Sequence, residues 1–248
     1  MKSKLVILGG GESGTGAAVL AKLKGFDVLV SDISDISDKY KKILDENNID
    51  WEEKKHSPAL ILEADEVIKS PGIPDSAVIV QEVMRNKINI VSEIEFASRY
   101  TKAKKVCITG SNGKTTTTML VYHILKNAGL NVGLAGNVGQ SFAMQVAKNN
   151  YDYFVIELSS FYNQDDEAIV SKFEKINFEA NKIPFSIYNN LGYGGEIKEN
   201  SMSVNLGTNS FEMNIYDLAI QGKHNLYNSM AATISAKILD IKNPVIRE

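Results

Sequence analysis

The apolar positions of this chain fall into short, bounded runs. Residues 4–8 (Lys-Leu-Val-Ile-Leu) are continuous and apolar and end at Gly9, the pattern of a strand buried on both faces. The helical segment that follows carries Ala17, Ala18, Leu20 and Leu23 inward and stops at Gly25. Residues 27–31 predict a second strand and 66–69 a third, cut off by Ser70-Pro71-Gly72-Ile73-Pro74; residues 88–91 predict a short fourth. Strands alternating with helical patterns imply a parallel sheet with helices on both faces. Residues 98–105, with Lys102, Lys104 and Lys105, are polar and read as a linker.

A second α/β unit starts at Val106. It continues through an amphipathic helix reaching Ala128, a strand at 132–134 and a buried strand at 153–158. Residues 203–206 and 211–215 then alternate with period two around Gly207-Thr208-Asn209-Ser210, a hairpin signal. In the final helix Leu226, Met230, Ile234 and Ile238 recur every four residues and predict one apolar face. The expected fold class is α/β: a Rossmann-like domain over residues 1–102, followed by a P-loop α/β domain over 103–248.

Composition narrows the functional classes. The 248 residues are 44% hydrophobic and 23% charged, near globular averages. A net charge of −3 argues against nucleic-acid binding driven by general electrostatics. The single Cys107 excludes an internal disulfide, and its apolar strand predicts a core residue rather than a nucleophile. The apolar run after Lys2 and Lys4 is too short for a secretory signal, and no run approaches the ~20 residues of a membrane span. The expectation is a soluble, cytoplasmic, monomeric protein with small-molecule ligands and neither nucleic acid nor membrane as partner.

The strongest candidate chemistry lies at Val106-Cys107-Ile108-Thr109-Gly110-Ser111-Asn112-Gly113-Lys114-Thr115-Thr116. A β-branched run feeds a Gly-Lys-Thr turn that opens a helix, the layout of a phosphate-binding loop. Glycines let backbone N–H groups approach a polyphosphate, and the helix turns its positive end to the anion. Lys114 would neutralise the outer phosphates and the Thr115 hydroxyl would hold Mg²⁺, so ATP and Mg²⁺ are the implied cofactors. The strict pattern wants a glycine where this chain has Ile108. The alternative is a strand-to-helix turn that binds nothing.

Gly9-x-Gly11-x-x-Gly14 also satisfies the dinucleotide fingerprint, with Asp32 about 20 residues on. Alone it supports a nicotinamide-dependent dehydrogenase. Such a turn accommodates any nucleotide diphosphate, however, so a nucleotide-linked substrate is as consistent, and a tight packing turn is the bland alternative.

Taken in order, several motifs resemble the Mur ligases of peptidoglycan synthesis, particularly their D-glutamate-adding branch. Gly11-Glu12-Ser13-Gly14-Thr15-Gly16 is similar to the family's uridine-nucleotide loop, Lys69-Ser70-Pro71-Gly72-Ile73-Pro74 to its second substrate loop, and Ser92-Glu93-Ile94-Glu95-Phe96 to the stretch closing that domain. Residues 109–116 resemble the family's own short P-loop, which also dispenses with the extra glycine. Ala135-Gly136-Asn137-Val138-Gly139, Glu157-Leu158-Ser159-Ser160-Phe161 and Gly222-Lys223-His224-Asn225-Leu226-Tyr227-Asn228 follow in family order.

The resemblance implies an ATP-dependent amide ligase that joins D-glutamate to UDP-N-acetylmuramoyl-L-alanine through an acyl phosphate. It implies that Ser13, Gly14, Asp32, Ser70 and Gly72 serve the uridine nucleotide, and that Asn137 and Ser159 hold substrate near the reacting carboxylate. Gly110, Ser111, Asn112, Gly113, Lys114, Thr115 and Thr116 would bind ATP. Glu157 would hold a second Mg²⁺, a hard cation preferring carboxylate oxygen; on position alone it reads equally as a strand-end surface carboxylate. Asn225 and Asn228 would meet the adenine edge, whereas without the family Asn225 reads as a helix N-cap.

Two family features are missing. After Phe161 the family carries a loop with a metal-binding histidine and a helix with a carbamylated lysine, and neither follows here. The family's C-terminal amino-acid domain would lie beyond Glu248, so this sequence is expected to represent part of a longer chain. Read literally, it would bind nucleotides without ligating. A different Mur-type ligase is the remaining alternative.

Overall fold

The computed structural model describes residues 2–110, 112–158 and 183–248. They form two compact units, one of Met1–Lys104 with Leu134–Tyr151, the other of Lys105–Gly133 with Asp152–Glu248.

The first unit is built on a five-stranded parallel sheet. Its strands are β1 (Lys4–Leu8), β2 (Asp27–Ser31), β3 (Asp50–Glu52), β4 (Glu66–Lys69) and β5 (Asn89–Val91), in spatial order β3-β2-β1-β4-β5. Helices α1 (Glu12–Leu23), α2 (Asp38–Glu46), α3 (Pro58–Ile61), α4 (Val78–Arg85) and α5 (Glu93–Ser98) connect or follow them. Central β1 explains its apolar run: Leu5, Val6, Ile7 and Leu8 are all fully buried, as a parallel strand covered on both faces must be. Chain order reverses between β1 and β4, which opens a crevice at the carboxyl ends of these strands. Gly9 N–H donates to Ser31 O (2.9 Å) and Ser70 N–H to Leu8 O (3.0 Å), so the turns after β1 and β4 are anchored at that crevice.

Helix α1 sits very close to β1. A β-carbon on Gly14 would overlap the Gly9 carbonyl oxygen, and one on Gly16 would overlap the Ser141 hydroxyl. Ala17, Ala18 and Leu20 are buried as expected, but Leu23 is 62% exposed. At about 100° per residue, Leu23 lies roughly 200° round the helix from buried Ala21 and so faces away from the sheet. β3 was absent from the sequence expectation because Asp50-Trp51-Glu52 lacks an apolar run; its register on β2 forms it instead. The expected linker is also tied down: Arg99 pairs with Glu66 (2.8 Å), Tyr100 stacks edge-on against Phe96 (5.1 Å between centroids), and Ala103 is buried.

Helix α7 (Phe142–Lys148) belongs to this unit. Glu93, 5% exposed, accepts at Oε1 from the Ser141 hydroxyl (2.9 Å) and from Ala143 N–H (2.6 Å) in the first turn of α7. Burial pushes its carboxyl above the ordinary range, outweighing these bonds, and the Glu12 charge adds to the rise.

In the second unit β6 (Lys104–Ile108) leads into α6 (Lys114–Asn127). The sheet order is β6-β8-β7, with β7 at Val132–Gly136 and β8 at Tyr153–Glu157. The division between the units passes between Gly133 and Leu134. Cys107 is exposed rather than in the core, because the face of β6 that carries it is left uncovered by the described residues.

Strands β9 (Phe185–Ser186), β10 (Gly194–Lys198), β11 (Ser201–Asn205) and β12 (Ser210–Asn214) make a second sheet, β12-β11-β10-β9, whose β11–β12 pair is the expected hairpin. Helix α8 (Lys223–Ile238) packs on both α6 and this sheet. Met230 and Ile234 are buried, whereas Ile238 is 56% exposed. A spacing of four advances about 40° per step, so the expected face has turned out of the contact by its last member. Short α9 (Asn243–Arg247) follows, and Lys237, buried on α8, donates to Asn243 Oδ1 (2.7 Å). Among the described residues no helix is long and apolar enough to cross a membrane.

Two outcomes follow from this packing. Gly14→Ala forces the Gly9 carbonyl aside and lowers stability by about 1–3 kcal/mol in thermal denaturation, while Gly72→Ala, with open space around it, stays within about 0.5 kcal/mol. Equal effects at both positions would refute the close approach. For Glu93, a folded pKa above the unfolded value means its contribution is intact below about pH 4.5 and is lost as pH rises through the raised pKa. Glu93→Gln therefore flattens this part of the pH–stability curve; an unchanged slope would mean the group ionises normally.

Candidate functional site

The crevice of the first unit holds a cavity of about 660 Å³. The turn after β1 contributes Gly9, Gly11, Glu12 and Ser13, and the end of β2 contributes Asp32 to Ser34. His56 lines it after β3, and Ser70 to Pro74 close the side after β4. Asp32 is held rigidly: Oδ2 accepts from Gly10 N–H (2.6 Å) and Oδ1 from Ser34 N–H (2.8 Å). Each oxygen keeps a further lone pair for a ligand hydroxyl. Ser13, Asp32, Ser70 and Gly72, far apart in sequence, thus meet around one cavity at the positive end of α1. Gly14 is buried behind them and makes the close approach to β1 instead of lining the cavity. Asn137 lies in this same unit, exposed on the turn after β7.

A polar chain stands beside this cavity that the sequence reading missed. Buried Ser31 Oγ lies 2.7 Å from Glu52 Oε1 and 2.7 Å from His56 Nδ1. Burial opposes the charge on Glu52, yet hydrogen bonds from Ser57 and Ser31 outweigh it and hold the carboxyl below its usual range. Burial likewise keeps the His56 imidazole below its usual range, exceeding the opposing pull of the Asp32 and Glu52 charges. No spacing rule flags a lone histidine after an unpredicted strand, although Ser31 next to Asp32 at a strand end marked the neighbourhood.

In the second unit the P-loop motif adopts the expected strand–turn–helix form. Gly110 and Gly113 have positive φ (145° and 74°), and Gly113 is the N-cap of α6. A β-carbon on Gly113 would overlap Asn228 Oδ1, so the loop and the α8 asparagine are in direct apposition. Thr117 Oγ1 donates to that oxygen (3.3 Å), and Asn228 Nδ2 donates to Asn225 Oδ1 (3.0 Å). Asn225 is not the N-cap of α8: Gly222 holds that position, and Asn225 bonds back to Gln221 O (2.9 Å). Lys114 Nζ donates to Gly110 O (2.7 Å), folding its charge over the loop. Asn112 and Thr115 are exposed and Thr116 half-exposed at this end of α6; Ser111 and Ser159 lie outside the described residues.

Glu157 ends β8, next to β6; Leu158 N–H donates to Ile108 O (2.8 Å), which holds the two strand ends in register below the loop. The Glu157 side chain is 5% exposed and its Oε2 has no hydrogen-bond partner among the described residues. That excludes the surface-carboxylate alternative. A buried orphan carboxylate oxygen is costly unless a cation or donor meets it, so the position fits a hard divalent ion. No group of three His, Cys, Asp or Glu side chains suited to a metal occurs among the described residues. A Mg²⁺ that keeps most of its waters needs no such group.

Two stretches of the chain match models of known families. Residues 4–78 match the MurD N-terminal domain and residues 108–174 the Mur ligase middle domain. UDP-N-acetylmuramoylalanine–D-glutamate ligase of Bacteroides fragilis is 44% identical over 99% of this chain and 66% of its own length. The proteins of that name from Porphyromonas gingivalis and Christiangramia forsetii are 43% and 40% identical over all of this chain and 67% of theirs. The chain therefore spans about two thirds of the length of these relatives. The Bacteroides alignment runs over 296 positions against 248 residues here, so that relative has positions with no counterpart in this chain.

The fold recurs in the UDP-N-acetylmuramate:L-alanyl-gamma-D-glutamyl-meso-diaminopimelate ligase from Neisseria meningitides (TM-score 0.60, 18% identity, 99% of this chain and 96% of that one). It recurs also in the UDP-N-acetylmuramate-alanine ligase of Thermotoga maritima (TM-score 0.55, 17% identity, 98% and 66%). Two family domains in order, together with relatives 40–44% identical over 99–100% of this sequence, establish that the chain belongs to the Mur ligase family.

Proposed function

We propose that this chain supplies the substrate-binding and ATP-binding parts of a cytoplasmic ligase that joins D-glutamate to UDP-N-acetylmuramoyl-L-alanine. The observation that carries this reading is the pairing of a nucleotide-sized cavity in one unit with a P-loop braced by Asn228 in the other. Residues 1–102 serve as the uridine-nucleotide domain and 103–248 as the ATP domain.

In this reading the pyrophosphate lies at the N-terminus of α1 beside Ser13, where unpaired backbone N–H groups and the helix dipole favour an anion. Asp32 takes a ribose hydroxyl, and Ser70 with Gly72 closes the far wall. Lys114 leaves Gly110 O for the outer phosphates of ATP, and Asn225 and Asn228 face the adenine edge. Asn137 and Ser159 steady the muramoyl substrate.

The γ-phosphorus of ATP bonds to a carboxylate oxygen of the muramoyl-alanine, and its bond to the ADP oxygen breaks. The D-glutamate amine then attacks the acyl carbon, inorganic phosphate leaves with the bonding pair, and the amine loses a proton to give the amide. A carboxylate is a poor electrophile, so the first step provides its leaving group; the protein contributes position and charge neutralisation. Thr115 and Glu157 would hold Mg²⁺, two ions in all, whose charge offsets that of the phosphates. A second reading, nucleotide binding without ligation, is favoured by the aligned positions that have no counterpart here.

The deciding experiment follows ADP release from ATP in the presence of UDP-N-acetylmuramoyl-L-alanine and D-glutamate. Release that needs both substrates supports the ligase; ATP binding by calorimetry with no release supports the second reading. Lys114→Ala lowers ATP affinity, and any turnover, by about 100-fold; unchanged values would sink the P-loop assignment. Glu157→Gln leaves thermal stability equal or higher while weakening the Mg²⁺ dependence of ATP binding, the ion at Thr115 remaining. Reduced stability with the Mg²⁺ dependence intact would make Glu157 a purely structural residue.

A further inference from the structure

The start of α7 is clamped by carboxylates from two other helices. Ser141, the N-cap of α7, is buried, and both of its donors are taken. Its N–H donates to Glu12 Oε1 on α1 (3.3 Å), and its hydroxyl donates to Glu93 Oε1 on α5 (2.9 Å). The hydroxyl oxygen accepts from Met144 N–H (3.1 Å), while Glu93 Oε1 also accepts from Ala143 N–H (2.6 Å). There is room for this hydroxyl only because Gly16 of α1 has no β-carbon. Ser141 is thereby fixed to α1 and α5 at once.

What the clamp holds is the turn that precedes it. Residues 136–140 close on themselves: Gly136 N–H donates to Gln140 O (3.2 Å), and a β-carbon on Gly139, at φ 88°, would overlap Leu134 O. Gln145 Nε2 of α7 donates to the same Leu134 oxygen (3.2 Å). A turn tied at its neck has little freedom of its own, so where it points is set by its anchors, and Ser141 is one of them. Asn137 stands on this turn, four residues before Ser141. Glu12, for its part, precedes Ser13 at the N-terminus of α1 and lines the cavity. One serine therefore links the turn bearing Asn137 to the helix end that faces the cavity.

Resting on the reading that Asn137 steadies the muramoyl part of the substrate, we propose that Ser141, held by Glu93 and Glu12, is a positioning residue. It touches no ligand itself. It sets the Asn137 turn in place relative to the cavity, so that a single ligand can engage both. Loosening the clamp leaves the nucleotide part of the ligand bound and weakens the hold on the rest, because a polar contact misplaced by about an ångström is largely lost.

The test is calorimetry with UDP and with UDP-N-acetylmuramoyl-L-alanine on the wild type, Ser141→Ala, Asn137→Ala and the double variant. Ser141→Ala is expected to weaken the muramoyl ligand by about tenfold and leave UDP unchanged, and Asn137→Ala to do the same. The double variant should be no weaker than Asn137→Ala alone, since Ser141 acts through Asn137. Glu93→Ala should behave like Ser141→Ala, whereas Glu93→Gln, which keeps an acceptor oxygen, should bind as the wild type does. Unchanged affinity in Ser141→Ala, an equal loss for UDP, additive losses in the double variant, or a Glu93→Gln as weak as Glu93→Ala each overturns the proposal. Asn137→Ala without effect overturns the reading of Asn137, and this inference with it. Failure of the wild type to bind the muramoyl ligand overturns the substrate reading itself.

Discussion

The close approach of α1 to β1 is the constraint on which the first unit depends. With no β-carbon at Gly14, the Gly9 carbonyl can lie directly against the helix, which brings the N-terminus of α1 down onto the end of the central strand. The turn after β4 is drawn into the same place by Ser70 N–H on Leu8 O. The crevice, its helix dipole and its wall all follow from that one backbone contact. The second unit repeats the device: Gly113, with positive φ and no β-carbon, lets Asn228 on α8 press against the P-loop.

Buried carboxylates occupy the key positions, and their surroundings give them different tasks. Glu52 is so well supplied with donors that it stays ionised and orients Ser31 and His56. Glu93 has donors too, but deeper burial and the nearby Glu12 charge win, so its carboxyl is pushed above the ordinary range while it accepts from the first turn of α7. Glu157 is buried as well, with one oxygen that has no hydrogen-bond partner among the described residues. Burial is the common cost; the number of donors and neighbouring charges decides the outcome.

Much of the candidate site was legible because its determinants are local. Gly113-Lys114-Thr115 after an apolar run predicts a strand-to-helix turn from local residues alone, and the structure has that geometry. Ser13, Asp32 and Ser70 each sit at the carboxyl end of a strand or the turn after it, where an α/β sheet gathers its ligand contacts. The family motifs added an adenine-facing expectation for Asn225 and Asn228, where Asn225 without the family reads as a helix N-cap.

By itself the sequence determined the strands β1, β2, β4 and β8, the helices α1 and α6, the β11–β12 hairpin and the identity of both glycine turns. Their apolar runs, breakers and periodicities act over a few residues. Only the tertiary structure decided what depends on distant partners. Polar β3 exists because β2 offers it a ladder. Leu23 and Ile238 turn outward because helix rotation, not spacing, sets the buried face, and Cys107 is exposed because its side of β6 is left uncovered by the described residues. His56 gains its hydrogen-bond partner in Ser31, 25 residues away, and Glu93 its capping role from Ala143, 50 residues away. Hydrogen-bond direction and burial are properties of the assembled neighbourhood, so no local pattern could have encoded them.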